Sequence, residues 1–217
     1  MLIRTVQRSS FIRAYTTHQH IRYWKNNKSE QYWKNYQGTW SHKHRQFISS
    51  MLHTITWTSL LEVGCGSAPN FINFVKTHQN KQYAGVDVSP VALKVAANVF
   101  EGIQFKVGTG DSIFMSDKST DVVLCDAMLM YIGPREIRKY LREFIRVTRT
   151  YIVLYEYHNE SWWVRTKLRI FSGRHAYDYK KLLESEDFYD VQVFRMPPFE
   201  HDNEQKFRYL ILAKVPD

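Results

Sequence analysis

The residues able to do chemistry gather at the ends of short apolar runs. Residues 60–70 read LLEVGCGSAPN: an apolar run carrying Glu62 closes on Gly64-Cys65-Gly66, the opening of a nucleotide-cofactor loop. Glycine has no Cβ and tolerates positive φ, so the backbone here can pass close beneath a ligand. The third glycine of G-x-G-x-x-G is missing, and Pro69 at the helix start removes an amide donor. That weakens the case for a phosphate cradle but not for a bound nucleoside. Asp87 closes the next run, QYAGVDV, 21 residues after Gly66, where a carboxylate can accept from both hydroxyls of a ribose. Asp126 ends a further run, DVVLCD. The implied ligand is a nucleoside without phosphates.

Such acids and glycines need strands to carry them. From about residue 58 short apolar runs alternate with helical periodicity, the pattern of an α/β domain with a mainly parallel sheet. SLLEV is followed by a helix over 68–77, and QYAGVDV by Ser89-Pro90, an N-cap with proline at the first helical position. IQFKV, DVVLCD and YIVLYEY read as further strands, with a helix over 135–147 that sets Ile137, Tyr140, Leu141, Phe144 and Ile145 on one face. A short helix near 179–183 precedes FYDVQVFRM and FRYLILAKV, an antiparallel pair with a wide connection. Before residue 58, the segment 41–55 predicts a helix N-capped by Ser41. The tetrapeptide Tyr-Trp-Lys-Asn occurs at Tyr23 and again at Tyr32. Nine residues at about 100° each put the copies on opposite faces of one continuous helix, and only a break near Asn26-Asn27 brings them together. No function is assigned to the repeat.

With 217 residues and 44% hydrophobic content, the chain has material for one sizeable core plus an appendage. Two cysteines, Cys65 and Cys125, make neither a disulfide framework nor a zinc spacing, which suits a reduced compartment. The charge of +9 is concentrated: residues 1–45 hold nine Lys/Arg against one acid, and the remainder carries a balance of only +1. No apolar run reaches the roughly 18 to 20 residues that cross a bilayer. The division expected is a basic, aromatic helical arm over 1–57 and a catalytic domain over 58–217. Residues 1–15 are rich in Arg, Ser and Thr and free of acids, which reads as a basic helix packed on the domain or as a mitochondrial transit peptide. The expected location is cytoplasmic, with the mitochondrial matrix as the alternative.

Four of these motifs, in this order over residues 58–215, resemble the class I S-adenosylmethionine-dependent methyltransferases. The resemblance implies a Rossmann-like, doubly wound, mainly parallel seven-stranded sheet with an antiparallel C-terminal strand, plus the N-terminal helical arm. It implies S-adenosylmethionine as cofactor and S-adenosylhomocysteine as product. Glu62, Gly64, Cys65 and Gly66 correspond to the first motif, passing under the methionyl and ribose portions. Asp87, followed by Val88, corresponds to the ribose-binding acid, Asp111-Ser112 to the motif whose acid meets the adenine amino group, and Asp126-Ala127 to the strand end beside the methionyl part. Gly108-Thr109 before Gly110 departs from the pattern and shifts the alignment of Asp111 by a residue or so. Segments before the first strand and after the fifth often close over the cofactor in this family. Here they are the arm, with Tyr36, Trp40, His42, His44 and Arg45, and the insertion 160–178; Arg45 is expected to meet the cofactor's carboxylate.

Methyl transfer from a sulfonium is an in-line displacement, so the protein must align the acceptor and, for some substrates, remove a proton. Residues 126–134, DAMLMYIGP, lack the Asn/Asp-Pro-Pro-Tyr/Phe signature of amino methyltransferases acting on DNA bases and glutamine. The catalytic cysteine pair of RNA cytosine-5 enzymes is also missing. Tyr131 and His158, with Glu156, are the groups expected near the acceptor, and Trp162 and Trp163 are expected either to wall a pocket or to pack in the core. The expected function is O- or N-methylation of a small molecule. Alternatives are an RNA-directed methyltransferase using the basic arm, or a non-catalytic assembly protein with this fold. The oligomeric state stays open.

Overall fold

The computed structural model describes residues 16–26, 28–196 and 207–216; the two readings of residues 1–15 lie outside the described residues. Seven strands form one sheet: β1 (Ser59–Val63), β2 (Gln82–Asp87), β3 (Gln104–Val107), β4 (Thr120–Asp126), β5 (Thr148–Tyr157), β6 (Tyr189–Arg195) and β7 (Arg208–Lys214), in the order β3-β2-β1-β4-β5-β7-β6. β1 to β5 pair in parallel, and β7 runs antiparallel to both β5 and β6. The expected fold class is the one observed. β1 is buried at every position because both faces of the sheet are covered, so after Ser59 its sequence is apolar but for Glu62.

Helices α1 (Thr17–Asn26), α2 (Glu30–Gln37) and α3 (Lys43–Leu52) precede the sheet; α4 (Pro69–Thr77), α5 (Pro90–Ala97), α6 (Ile137–Val147), α7 (Trp162–Ser172) and α8 (Tyr179–Glu184) follow its strands. Leu61, Val123, Ile152 and Ile211 pack against Tyr140 and Phe144 of α6 and Leu183 of α8. On the opposite face Leu60, Leu124, Val153 and Leu210 meet Ile48 of α3 and Phe71 and Phe74 of α4. The helix expected over 41–55 is shorter: Ser41 closes a 3-10 turn (Gly38–Ser41), and His42, extended, stands at the N-cap. Ser89 caps α5 by accepting from the Ala92 amide at 3.2 Å, with Pro90 at the first helical position. No described helix is long and apolar enough to cross a membrane.

Strand order reverses between β1 and β4, and the crevice at such a switch point is where open α/β sheets hold ligands. The start of these two strands is pinned by Asp121. Its Oδ2 accepts from the Thr58 amide (2.8 Å), the Thr58 hydroxyl (2.6 Å) and the Ser59 amide (3.1 Å), while Oδ1 meets Arg149 at 2.5 Å. Partial burial opposes the charge, but these donors hold the Asp121 carboxyl well below the usual range. Asp121→Ala strips four donors of their acceptor. The expected cost is about 1–3 kcal/mol, read as a lower urea midpoint at unchanged slope.

Candidate active site

A cavity of ≈ 450 Å³ lies over the C-terminal ends of β1, β2 and β4. Gly64, Gly66, Asp87, Val88, the loop 108–110, Asp126 and Ala127 line the sheet side; Trp24, Trp33, Tyr36, His44 and Arg45 line the arm side. The Gly64 amide donates to the Val86 carbonyl at 2.8 Å, which keeps the chain following β1 close to β2 as it turns away. Gly64 (φ 77°) and Gly66 (φ 55°) occupy left-handed conformations. A Cβ would stand 2.7 Å from Met128 at the first and 3.0 Å from the Trp33 ring at the second. Glycine is therefore required twice over, by backbone angle and by space.

The tetrapeptide repeat is what supplies the arm side. α1 ends at Asn26 and α2 begins at Glu30, capped by Ser29, so the two copies do not ride on one helix. Trp24 and Trp33 meet at 6.1 Å between ring centroids and both line the cavity. The Trp33 carbonyl accepts from the Ser67 hydroxyl at 2.8 Å, and the Gln37 amide side chain donates to the Ser67 carbonyl at 2.8 Å, fixing α2 to the glycine loop.

Asp126 is the centre of the polar wall. Its Oδ2 accepts from Arg45 Nη1 at 2.5 Å and Asn70 Nδ2 at 3.0 Å, with His44 Nε2 at 3.7 Å. Arg45 also donates from Nη2 to the Tyr36 hydroxyl at 3.1 Å. Burial works to raise Asp126, but the Arg45 charge outweighs it, and the carboxyl is held well below the usual range. Behind it, Glu62 accepts from Asn70 Nδ2 at 2.7 Å. Burial first, and the neighbouring Asp126 charge second, push Glu62 up to about 8. Glu62 Oε2, Asn70 Oδ1 and Arg45 Nε are buried without a hydrogen-bond partner. Asp87 accepts from the Gly66 amide at 2.9 Å through Oδ2 and from the Ser89 amide at 2.8 Å through Oδ1. Burial raises its pKa, and these amides oppose the rise.

The far end of the cavity holds Tyr131, His20, Arg174 and Arg208. Burial pushes the Tyr131 phenol up to about 12, so it presents an O–H rather than a phenolate at neutral pH. His20 packs against it, the rings tilted at 49° with 4.9 Å between centroids, and burial lowers the imidazole's pKa, favouring the neutral form. Arg174 and Arg208 both lie over the Tyr157 ring, and Arg174 Nη1 donates to the Tyr157 hydroxyl at 2.9 Å.

Several expected residues lie elsewhere. Glu62 and Cys65 sit behind the cavity wall, fully packed, Glu62 as a partner of Asn70. Asp111 points to the surface, paired with Lys139 at 2.8 Å, and Ser112 closes a turn with Thr109; the backbone of Gly108, Thr109 and Gly110 takes their place in the lining. His158 lies outside the cavity lining, buried, with its Nδ1 accepting from the Tyr179 amide at 3.1 Å. Trp40 is also outside the lining, with Lys76 over its ring. Trp162 and Trp163 neither wall the cavity nor enter the core, being 56% and 60% exposed. Asn70, His20, Arg174 and Arg208 had no local signal, since nothing near them in sequence marks a cavity.

The switch-point crevice, the glycine turn after β1 and the acids ending β2 and β4 meet at one cavity, the place where Rossmann-like sheets hold ligands. Residues 60–150 match the family model described as a methyltransferase domain. No curated protein matches. Among solved structures the chain is similar to the CurJ carbon methyltransferase (16% identity, TM-score 0.58, 80% of this chain and 53% of that one). It is also similar to the S-adenosylmethionine-dependent methyltransferase SibL in its apo form (15%, 0.66, 91% and 65%). A third likeness is a possible histamine N-methyltransferase from Thermotoga maritima (14%, 0.60, 86% and 97%). The chain thus spans between half and two thirds of the first two structures, and at these identities the likeness is one of fold. The chain matches a methyltransferase domain over residues 60–150 and shares its fold with S-adenosylmethionine-dependent methyltransferases. The residues present would suit the cofactor of such enzymes, S-adenosylmethionine: two glycines with no room for a Cβ, a buried carboxylate at the end of β2, and an Arg45 Nε without a hydrogen-bond partner.

Glu62 gives a pH test. An unfolded glutamate titrates near about 4.3, so folding takes up a proton between that pH and about 8, and stability falls as pH rises through the window. Glu62→Gln keeps the neutral shape and removes that proton uptake. The unfolding free energy from urea titrations should fall less between about pH 6 and about pH 9 for Glu62→Gln than for the parent, by on the order of 2–4 kcal/mol.

Proposed function

We propose that the protein methylates a small molecule at oxygen or nitrogen, with residues 1–57 as a covering arm and 58–217 as the methyltransferase domain. The observation that carries this reading is the enclosure of the cavity by the arm. α1 is tied down where the Gly133 amide donates to Thr17 Oγ1 at 2.8 Å, α2 at Ser67, and α3 through Arg45. A space of ≈ 450 Å³ walled in this way suits a small acceptor better than a nucleic-acid strand. The likenesses to a carbon methyltransferase and a possible N-methyltransferase leave the acceptor atom to the site itself.

Bound S-adenosylmethionine supplies an electrophilic methyl group on a sulfonium. Gly64 and Gly66 would let the backbone pass beneath it, Asp87 would accept from the ribose hydroxyls, and Val88, residues 108–110, Asp126, Ala127 and Arg45 would hold the remainder. Tyr131 orients the acceptor through its O–H, and His20, neutral at pH 7, takes a proton where the acceptor must lose one. Arg208 Nε is buried without a hydrogen-bond partner, while the guanidinium lies over the Tyr155 and Tyr157 rings. A largely buried guanidinium is stabilised by an anion, so the acceptor carries a carboxylate or phosphate that meets Arg208 and Arg174.

Titration calorimetry with S-adenosylhomocysteine tests the cofactor half. Binding is expected, and Asp87→Ala should weaken it about ten- to a hundredfold by removing charged hydrogen bonds to the ribose; no binding to the parent would sink the reading. Methyl-labelled S-adenosylmethionine and a fractionated cell extract test the acceptor half. Label should enter anionic small solutes, and Arg208→Gln should raise the acceptor KM at least about tenfold while leaving S-adenosylhomocysteine affinity within about twofold. Label recovered in RNA would favour the nucleic-acid alternative.

A further inference from the structure

Among the described residues, α7 departs from every other α-helix in having no buried residue. Trp162, Trp163, Ile170 and Phe171 are four of the nine large apolar side chains exposed among the described residues, and Phe171 is 72% exposed. At about 100° per residue these four fall on one half of the helix, while Val164 and Leu168 fall on the other. Leu168 packs against Met130, Tyr157 and Ala176, the cluster that also borders Tyr131 and Ala127 of the cavity. Arg165 donates to the carbonyls of Asn159 (2.9 Å) and Glu160 (2.8 Å), locking the start of the helix, and Gly173 at φ 68° ends it. The outward half is therefore a rigidly presented apolar face.

Its charge tells what covers it. Residues 161–177 hold four Lys/Arg and no acid. Lys167 falls inside the apolar half and Arg169 beside it, both exposed. Tryptophan and long basic side chains mixed in this way suit a headgroup boundary, where indoles sit at the interface and cationic heads reach outward to phosphates. A second copy carries the same +9 charge and would set like charges together across the contact, whereas an anionic lipid surface complements both the helix and the basic arm.

We propose that α7 docks the protein on an anionic phospholipid surface, inserting Trp162, Trp163, Ile170 and Phe171 at the headgroup level with Lys167 and Arg169 on lipid phosphates. The side of α7 that faces the protein borders the cavity cluster, so docking brings the acceptor end of the cavity beside the bilayer.

Co-sedimentation of the full chain with vesicles tests this. Binding is expected to vesicles of equal parts phosphatidylglycerol and phosphatidylcholine, and to be much weaker with phosphatidylcholine alone at physiological salt. The double variant Trp163→Ser/Phe171→Ser, folded by circular dichroism, should bind the anionic vesicles at least about tenfold less tightly. Trp162→Ser/Ile170→Ser, on the same face, should do likewise and serves if the first variant does not fold. The proposal is overturned if the parent does not sediment, or if the variants sediment as well as the parent, which would leave the basic arm as the lipid contact. Light scattering that shows a dimer dissociated by the variants would also overturn it and assign the face to a second copy.

Discussion

The structure depends on how a carboxylate can be buried at the switch point of the sheet. Asp126 ends β4 where the strand order turns, almost out of reach of solvent, and a lone charge there is untenable. Its counter-ion, Arg45, comes from the arm rather than from the α/β domain, so the covering helices and the sheet end share one electrostatic unit. Breaking such a pair by removing one partner costs about 3–5 kcal/mol because the other is left uncompensated. The arm is thus a wall of the site, and α3 is bound to the sheet by charge as well as by the apolar packing of Ile48, Met51 and Leu52.

The same unit explains the state of its neighbours. Asn70 divides its amide between Glu62 and Asp126, and two carboxylates so close together cannot both ionise cheaply. Arg45 sits nearest Asp126, so the charge stays there and Glu62 is the group driven towards neutrality. The first strand's acid then acts as a brace for Asn70 behind the cavity wall. Gly66 is constrained from both directions, since its backbone donates to Asp87 while the space above it is filled by Trp33.

Much of this was legible in the sequence because it rests on local signals. Strand ends, the Ser89-Pro90 start of α5 and the apolar periodicities are properties of short windows, and they located β1, β2 and β4 with their terminal glycines and acids. Arg45 was reached through a resemblance, not through any pattern of its own. The reach of the arm was not legible: helical arithmetic set Tyr23-Trp24 and Tyr32-Trp33 on opposite faces, and only the break between α1 and α2 brings Trp24 onto Trp33. His158 and the tryptophans of α7 show the opposite failure. Their position after a strand end suggested the site, but one turn of chain decides whether such a side chain points to a cavity, to a backbone amide or to solvent.

Glu156 shows how the site separates positioning from reactivity. It stands one residue before the end of β5, where an acid invites a catalytic reading, yet its two oxygens accept from the successive amides of Met128 (2.8 Å), Leu129 (2.6 Å) and Met130 (3.1 Å). Those amides open the 3-10 turn Leu129–Tyr131, whose unsatisfied donors would otherwise be buried. The acid therefore fixes the turn, and the turn fixes Tyr131, whose phenol burial keeps protonated. An in-line methyl transfer asks for alignment before it asks for a base. A buried acid spent on holding three amides is what that requirement looks like in a fold whose loops, rather than its strands, carry the acceptor side.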